Sequence, residues 1–326
     1  MAPRWFAAGA GKASKHDRAH LLEDAVNGRA GDRGPAGQGF ARWLSAPNFY
    51  DISDSHLLVD QGQPYAARSE DTADVLMEEA LKFIGAAVKA NKPSLTLIWY
   101  PSPHRPYEAR PEDLALVNGK VRLAEIAAVD RSMGTLRAGL RALGVAEQSL
   151  VWFTSDNGCA EKGAAGSGGL RGYKGETWEG GIRVPGIIEW SGVITSGAVS
   201  SVPTSSLDIP VTLGALCGFS LPSAVDGVDL TPLLHNERNE MAQRPQPLTF
   251  VYQGNVAIID GDLKLHRRNK GAVLLYDLAA DPKESQDLSQ DRPQDCDRLL
   301  ALLDAWLAQA EKDRARFALK KPGSGE

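Results

Sequence analysis

The sequence predicts an α/β fold: a mostly parallel sheet sandwiched by helices, followed by a small antiparallel sheet with a helix packed on it. Three observations carry this. Two short β-rich runs, SLTLIWY (94–100) and SLVWFTS (149–155), lack apolar–polar alternation and read as strands buried on both faces. Helical periodicities precede and separate them, the alternation expected of parallel strands covered by helices. Beyond about residue 235 the pattern becomes short strands joined by turn signals such as Asp260-Gly261-Asp262.

Taken in order, residues 70–91 place Val75, Leu76, Ala80, Phe83, Ile84 and Val88 at helical spacing, with acidic residues at the start and Pro93 after the end. A second helix, 119–143, carries Val121, Leu123, Ile126, Val129, Met133, Leu136, Leu140 and Leu143 as its apolar stripe. RVPGIIEW (183–190) reads as a further strand. PLTFVYQ, NVAIIDGDLKLHRR and GAVLLYDL supply the antiparallel sheet. The last helix, 293–314, turns Leu299, Leu300, Leu303, Trp306 and Leu307 to one side. The chain divides into an atypical segment 1–33, an α/β domain 34–235, a C-terminal subdomain 236–316 and a disordered tail 317–326.

The composition excludes several classes. Hydrophobic residues make up 43% and charged residues 24%, as in soluble globular proteins. A net charge of −5 gives no basic footprint for nucleic acid, and no apolar run is long enough for a membrane span. Three cysteines at irregular spacing, Cys159, Cys217 and Cys296, suit neither a disulfide framework nor a zinc cluster. Cys217, within VTLGALCGF, reads as a buried core thiol. Residues 1–33 show neither helical nor strand periodicity and hold no secretory h-region, so the chain as written is expected in the cytoplasm.

Candidate functional residues cluster after the predicted strands. In open α/β sheets, ligands sit beyond the carboxyl ends of the strands. Asp156 and Asn157 are placed there by VWFTSDNG, a carboxylate beside an amide carbonyl, both hard oxygen donors suited to Ca²⁺ or Mg²⁺. Asp-Asn-Gly also suits a tight turn with no ligand. His104 follows the first of these strands in WYPSPHRPYEA, flanked by prolines that stiffen the loop. An imidazole there can bind an anion or protonate a leaving group. Lys174, in RGYKGETWEGG, is a point charge for an oxyanion among glycines that allow close backbone approach. Glu179 and Arg183 read as braces of that loop.

Together these stretches resemble the sulfatase family, arylsulfatase-like hydrolases of the alkaline-phosphatase-like superfamily. The resemblance rests on FTSDNG, LRGYKGETWEGGIRVPGIIEW, PSPHRP, GFARWLSAPNFYD, SLDIPVTLGALCGFSLPSAVDGVDLTPLL and DGDLKL with LYDLAADPKESQDL, and covers about residues 34–313. It implies hydrolysis of sulfate esters at a Ca²⁺-dependent site, with Asp156 and Asn157 as metal ligands. It implies Lys174 on the sulfate, and His104 on the sulfate or assisting leaving-group departure. The implied partner is a sulfate-ester small molecule or a sulfated glycan, with no nucleic acid and no membrane.

The resemblance also marks a gap. The family's nucleophile is a formylglycine made from the cysteine of Cys-x-Pro-Ser-Arg, and that motif is absent from these 326 residues. The implied chain is N-terminally truncated, with a partial Ca²⁺ site and impaired or absent catalysis. A non-catalytic sulfate-binding remnant and a related phosphoryl-transfer hydrolase are the alternative functions. Shifted forward by one base, the codons of Met1–Phe6 are able to spell Trp-His-Leu-Gly-Gly, a segment of the family pattern. Residues 1–33 are thus readable as an out-of-frame translation, which the codons of the gene decide.

Overall fold

The computed structural model describes residues 4–10, 35–46, 59–162, 166–219, 221, 225–235, 243–269 and 271–317. The tail expected to be disordered and most of segment 1–33 lie outside the described residues. The chain forms two compact units, Met1–Ser149 and Leu150–Glu326. The sequence changes character near 235, but the contacts divide the chain earlier.

The first unit holds a five-stranded sheet. Its strands are β1 (Arg4–Ala10), β2 (Arg42–Ala46), β3 (Val59–Asp60), β4 (Gln63–Pro64) and β5 (Ser94–Trp99), in the order β4-β3-β2-β1-β5. β1 runs parallel to β2, with Phe6 opposite Arg42, and parallel to β5, with Arg4 opposite Ser94. The opening segment therefore contributes a strand that its sequence did not announce. β3 and β4 are a short antiparallel ribbon turned by Gln61 and Gly62, both at positive φ.

Helix α1 (Thr72–Lys89) starts where Asp71 Oδ1 accepts the amide of Ala73 at 2.8 Å, and it ends before Asn91 at φ 49°. Its Val75, Leu76 and Ala80 pack on Leu44 of β2, joined by Tyr65, Phe83 and Ile98. After the short helix α2 (Pro111–Leu116) comes α3 (Val121–Ala142). Its buried face differs from the expected stripe. Val129 and Leu140 are buried as expected, but Leu123 and Ile126 are exposed, and Ala124, Ala128 and Ser132 take their place. Small residues let two helices approach closely: Ser132 Oγ donates to Ala73 O of α1 at 2.9 Å. Arg131 completes that contact by pairing with Asp74 and Asp113.

In the second unit, β6 (Val151–Thr154) and β7 (Gly186–Glu189) pair antiparallel, Val151 opposite Glu189. Both were expected to be buried strands of a parallel sheet. They are half-exposed because, among the described residues, each has the other as its sole strand neighbour, and Ile187 stays 60% exposed. Among the described residues β5 is likewise at the edge of its sheet, and Trp99 is 56% exposed. Between β6 and β7 lies one helical turn, α4 (Glu179–Ile182). Helices α5 (Asp208–Leu216) and α6 (Thr231–Leu234) follow. Asp208 is fully buried and is held by Arg244 through two bonds of 2.7 and 2.8 Å. Cys217, expected in the core, is exposed, because it caps α5 just before Gly218 turns the chain at φ 73°. Cys296 is the buried thiol.

The chain closes with the antiparallel meander β8 (Leu248–Tyr252), β9 (Asn255–Asp260), β10 (Leu263–Arg267) and β11 (Val273–Asp277), then α7 (Pro293–Phe317). Two-residue loops, Gln253-Gly254 and Gly261-Asp262, set the register of the first two hairpins. One face of the sheet, with Val256, Ile258, Leu263, Leu265 and Leu275, packs on Cys296, Leu299 and Leu303 of α7. Each such fully buried leucine contributes roughly 1.5–3 kcal/mol. No helix among the described residues is long and apolar enough to cross a membrane.

Candidate active site

β6 ends at Thr154 and delivers Asp156 and Asn157 into a tight loop. Ser155 Oγ donates to the Asn157 carbonyl at 3.0 Å, and Asn157 Nδ2 donates to the Gly158 carbonyl at 3.1 Å. The Asn157 amide thus faces its neighbour with its nitrogen and keeps its oxygen for other partners. Asp156 is exposed, and among the described residues its carboxylate makes no ion pair.

The loop is locked to the block that carries Lys174. Gly158 N donates to Gly181 O at 2.9 Å, and Lys174 N donates to Cys159 O at 2.8 Å. The glycines are required by space. A Cβ on Gly158 would overlap the Gly180 carbonyl, and one on Gly180 would overlap the Gly172 and Arg171 carbonyls. Two stretches separated in sequence are thereby fastened backbone to backbone. Lys174 is half-buried, and its ammonium makes no ion pair or hydrogen bond among the described residues. An ammonium held on a fixed backbone without a counter-charge is suited to an oxyanion.

A buried polar cluster holds the back of this loop. Lys264 of β10 is 0% exposed; its Nζ lies 2.9 Å from Glu179 Oε1 and 2.8 Å from Glu284 Oε1. Glu284 Oε2 accepts the amide of Glu179 at 2.8 Å. Burial pushes the Glu284 carboxyl above its ordinary range, and the Lys264 charge opposes that rise. Alongside, Trp178 is sandwiched between the Arg171 guanidinium, 3.7 Å from its ring, and the His266 ring, stacked at 3.8 Å. Thr177 Oγ1 and His266 Nε2 are 2.8 Å apart. Burial first, then the charges of Lys264, Arg171 and Arg268, lowers the His266 pKa to about 4, so it is neutral at pH 7.

The expectation that Glu179 is a brace agrees with these contacts. Its partners Lys264 and Glu284, and His266 beside them against Thr177 and Trp178, escaped sequence reasoning. In DLKLH, Lys264 and His266 alternate with Leu263 and Leu265 and so read as a solvated strand face. The sheet is in fact covered on both sides, by α7 on one and by the Lys174 loop on the other.

His104 belongs to the first unit, in the loop after β5. Its amide donates to Pro101 O at 3.1 Å. Its Nδ1 lies 2.8 Å from Arg105 O, and since a carbonyl only accepts, Nδ1 carries the proton. In the neutral ring Nε2 is then the lone-pair nitrogen. The structure thus brings Asp156, Asn157 and Lys174 together within the second unit, and it places His104 in the first.

Calcium takes about six to eight oxygen ligands. Asp156 and Asn157 offer two neighbouring donors, and among the described residues no group of three or more His, Cys, Asp or Glu could hold a metal ion. The described donor set does not make up a calcium site.

The sulfatase family profile matches residues 19–219, more than half of the chain and including part of the atypical opening segment. The chain belongs to the sulfatase family. Rat (Rattus norvegicus) steryl-sulfatase is 31% identical over 221 residues, spanning 54% of this chain and 38% of the relative. Human (Homo sapiens) arylsulfatase A is 34% identical over 194 residues, spanning 49% and 37%. The chain thus spans well under half the length of these relatives. Among solved structures, Ps i-CgsB in complex with k-i-k-neocarrahexaose shares the fold: TM-score 0.78 at 23% identity, covering 93% of this chain and 71% of that one.

Proposed function

We propose that these 326 residues carry the sulfate-recognition part of a sulfate-ester hydrolase without its nucleophile, so that they bind sulfate groups and on their own turn esters over poorly or not at all. The observation that supports this most is Lys174, fixed by its amide on Cys159 O at 2.8 Å, with an ammonium that has no partner among the described residues. Such a group offsets the charge of a sulfate oxygen and, in a reacting ester, the charge that develops on the leaving oxygen. His104, by the likeness of PSPHRP to the family pattern, is assigned to the sulfate or to protonation of the leaving group. With its Nδ1 proton committed to Arg105, Nε2 is the nitrogen that would carry that proton. Asp156 and Asn157 are assigned as two donors to Ca²⁺, and so small a share of its ligands makes for weak metal binding. No Cys-x-Pro-Ser-Arg occurs in the sequence, and loss of a nucleophile costs several orders of magnitude in rate.

The substrate class follows the relatives' names, sterol and aryl sulfates, and the sugar ligand of the structural neighbour. A sulfate-ester small molecule or sulfated glycan is the proposed ligand. The reading is tested by titrating inorganic sulfate into the chain and into Lys174→Met, followed by NMR shifts. Saturable binding that weakens at least tenfold in the variant supports it. Equal binding by both chains refutes it.

A further inference from the structure

Beside the loop that carries Lys174 stands an exposed aromatic residue. Tyr252 is the last residue of β8, at the tip of the β8–β9 hairpin, where Gln253 and Gly254 both take positive φ. Its ring lies against Gly175, the residue after Lys174. A Cβ on Gly175 would sit 3.4 Å from Tyr252 Cε1 and 3.5 Å from Cζ and Oη. Gly175 is at φ 86°, a conformation that side-chain-bearing residues seldom adopt. The ring thus meets bare backbone, yet 44% of the residue remains exposed. Gln253 Nε2 donates to Tyr252 Oη at 3.3 Å and fixes the ring's outer end. Val251, its exposed neighbour, points to the opposite face of the strand.

We propose that Tyr252 is the platform for the ring of an aryl or sugar sulfate ester whose sulfate is held at Lys174. The proposal rests on the sulfate-binding reading of Lys174. An ester needs two different surfaces: a cation for its sulfate and a flat, weakly polar face for the ring that bears it. A tyrosine ring gives such a face with little conformational freedom to lose, and its hydroxyl can hydrogen-bond a ring substituent. The ring's contact with Gly175, the residue after Lys174, sets it beside the backbone that carries the ammonium. Inorganic sulfate has no ring and would not use Tyr252.

That difference provides the test. Inorganic sulfate, 4-nitrophenyl sulfate and N-acetylglucosamine 6-sulfate are titrated by NMR into the full chain, Tyr252→Ala, Tyr252→Phe and Lys174→Met. Tyr252→Ala is expected to weaken the two ring-bearing esters roughly three- to tenfold while leaving inorganic sulfate unchanged, with Tyr252→Phe close to the parent. Loss of one of these esters alone supports the platform and narrows the class to that ring. Unchanged binding of both esters in Tyr252→Ala, or an equal loss for inorganic sulfate, overturns the platform alone. Lys174→Met binding sulfate as the parent does overturns the underlying sulfate reading, and the platform with it.

Discussion

Glu125 in the first unit and the buried ion pairs of the second handle buried charge in opposite ways. In the second, Lys264 lies between Glu179 and Glu284, and Arg244 grips Asp208 with two bonds, so each buried ion faces an opposite one. In the first, Glu125 is fully buried. Its Oε1 accepts the Glu108 amide at 2.8 Å, and its Oε2 has no hydrogen-bond partner among the described residues. Burial, with Asp71 and Glu108 nearby, pushes its pKa up to about 8. Buried charge that is paired across elements fixes geometry, and it does so behind the loop that carries Lys174. Buried charge without a counter-ion becomes a neutral acid and ties stability to pH.

The largest effect expected from this contrast is at Lys264. Lys264→Met leaves Glu284 buried without a cation, and Glu179 with Arg183 alone at 3.8 Å, and should lose about 3–5 kcal/mol of stability. The loss should be greater at pH 8 than at pH 5, where the stranded Glu284 takes up a proton, and adding Glu284→Gln should recover part of it. Urea denaturation measures this; a loss below about 1 kcal/mol would mean the cluster does not hold the loop.

A smaller effect concerns pH. Folded Glu125 keeps a proton up to about pH 8, whereas an ordinary glutamate releases it near 4.5, so stability falls as pH rises between those values. Glu125→Gln should remove most of that fall, with its advantage appearing toward pH 8 and vanishing below pH 4.5. His266 works in reverse. Its folded pKa of about 4 lies below the ordinary 6.5, so stability falls as pH drops through that window, and His266→Gln should flatten the acid side. Denaturation midpoints from pH 4 to 9 separate the two slopes, and parallel profiles in parent and variants would contradict both assignments.

Much of this was legible in the sequence where one pattern had one cause. Helices α1 and α7 came from their apolar spacing, and the meander from its turn residues. The site loop came from the glycines around Lys174, which the structure explains by backbone overlaps at Gly158 and Gly180. Legibility failed where tertiary partners decide. Ala124, Ala128 and Ser132 carry the α3 face because close helix approach favours small residues over Leu123 and Ile126. Lys264 and His266 looked solvated because alternation cannot show that a second layer covers a strand. Arg4–Ala10 forms a strand between β2 and β5 although its own sequence lacks strand periodicity.

The most direct test of recognition without turnover is hydrolysis of 4-nitrophenyl sulfate by the 326-residue chain, with and without Ca²⁺, at a protein concentration where sulfate binding has been demonstrated. The account predicts release of 4-nitrophenol no faster than in Lys174→Met or buffer. Release above that background, lost in Lys174→Met, would show that this chain contains a working nucleophile and would contradict it.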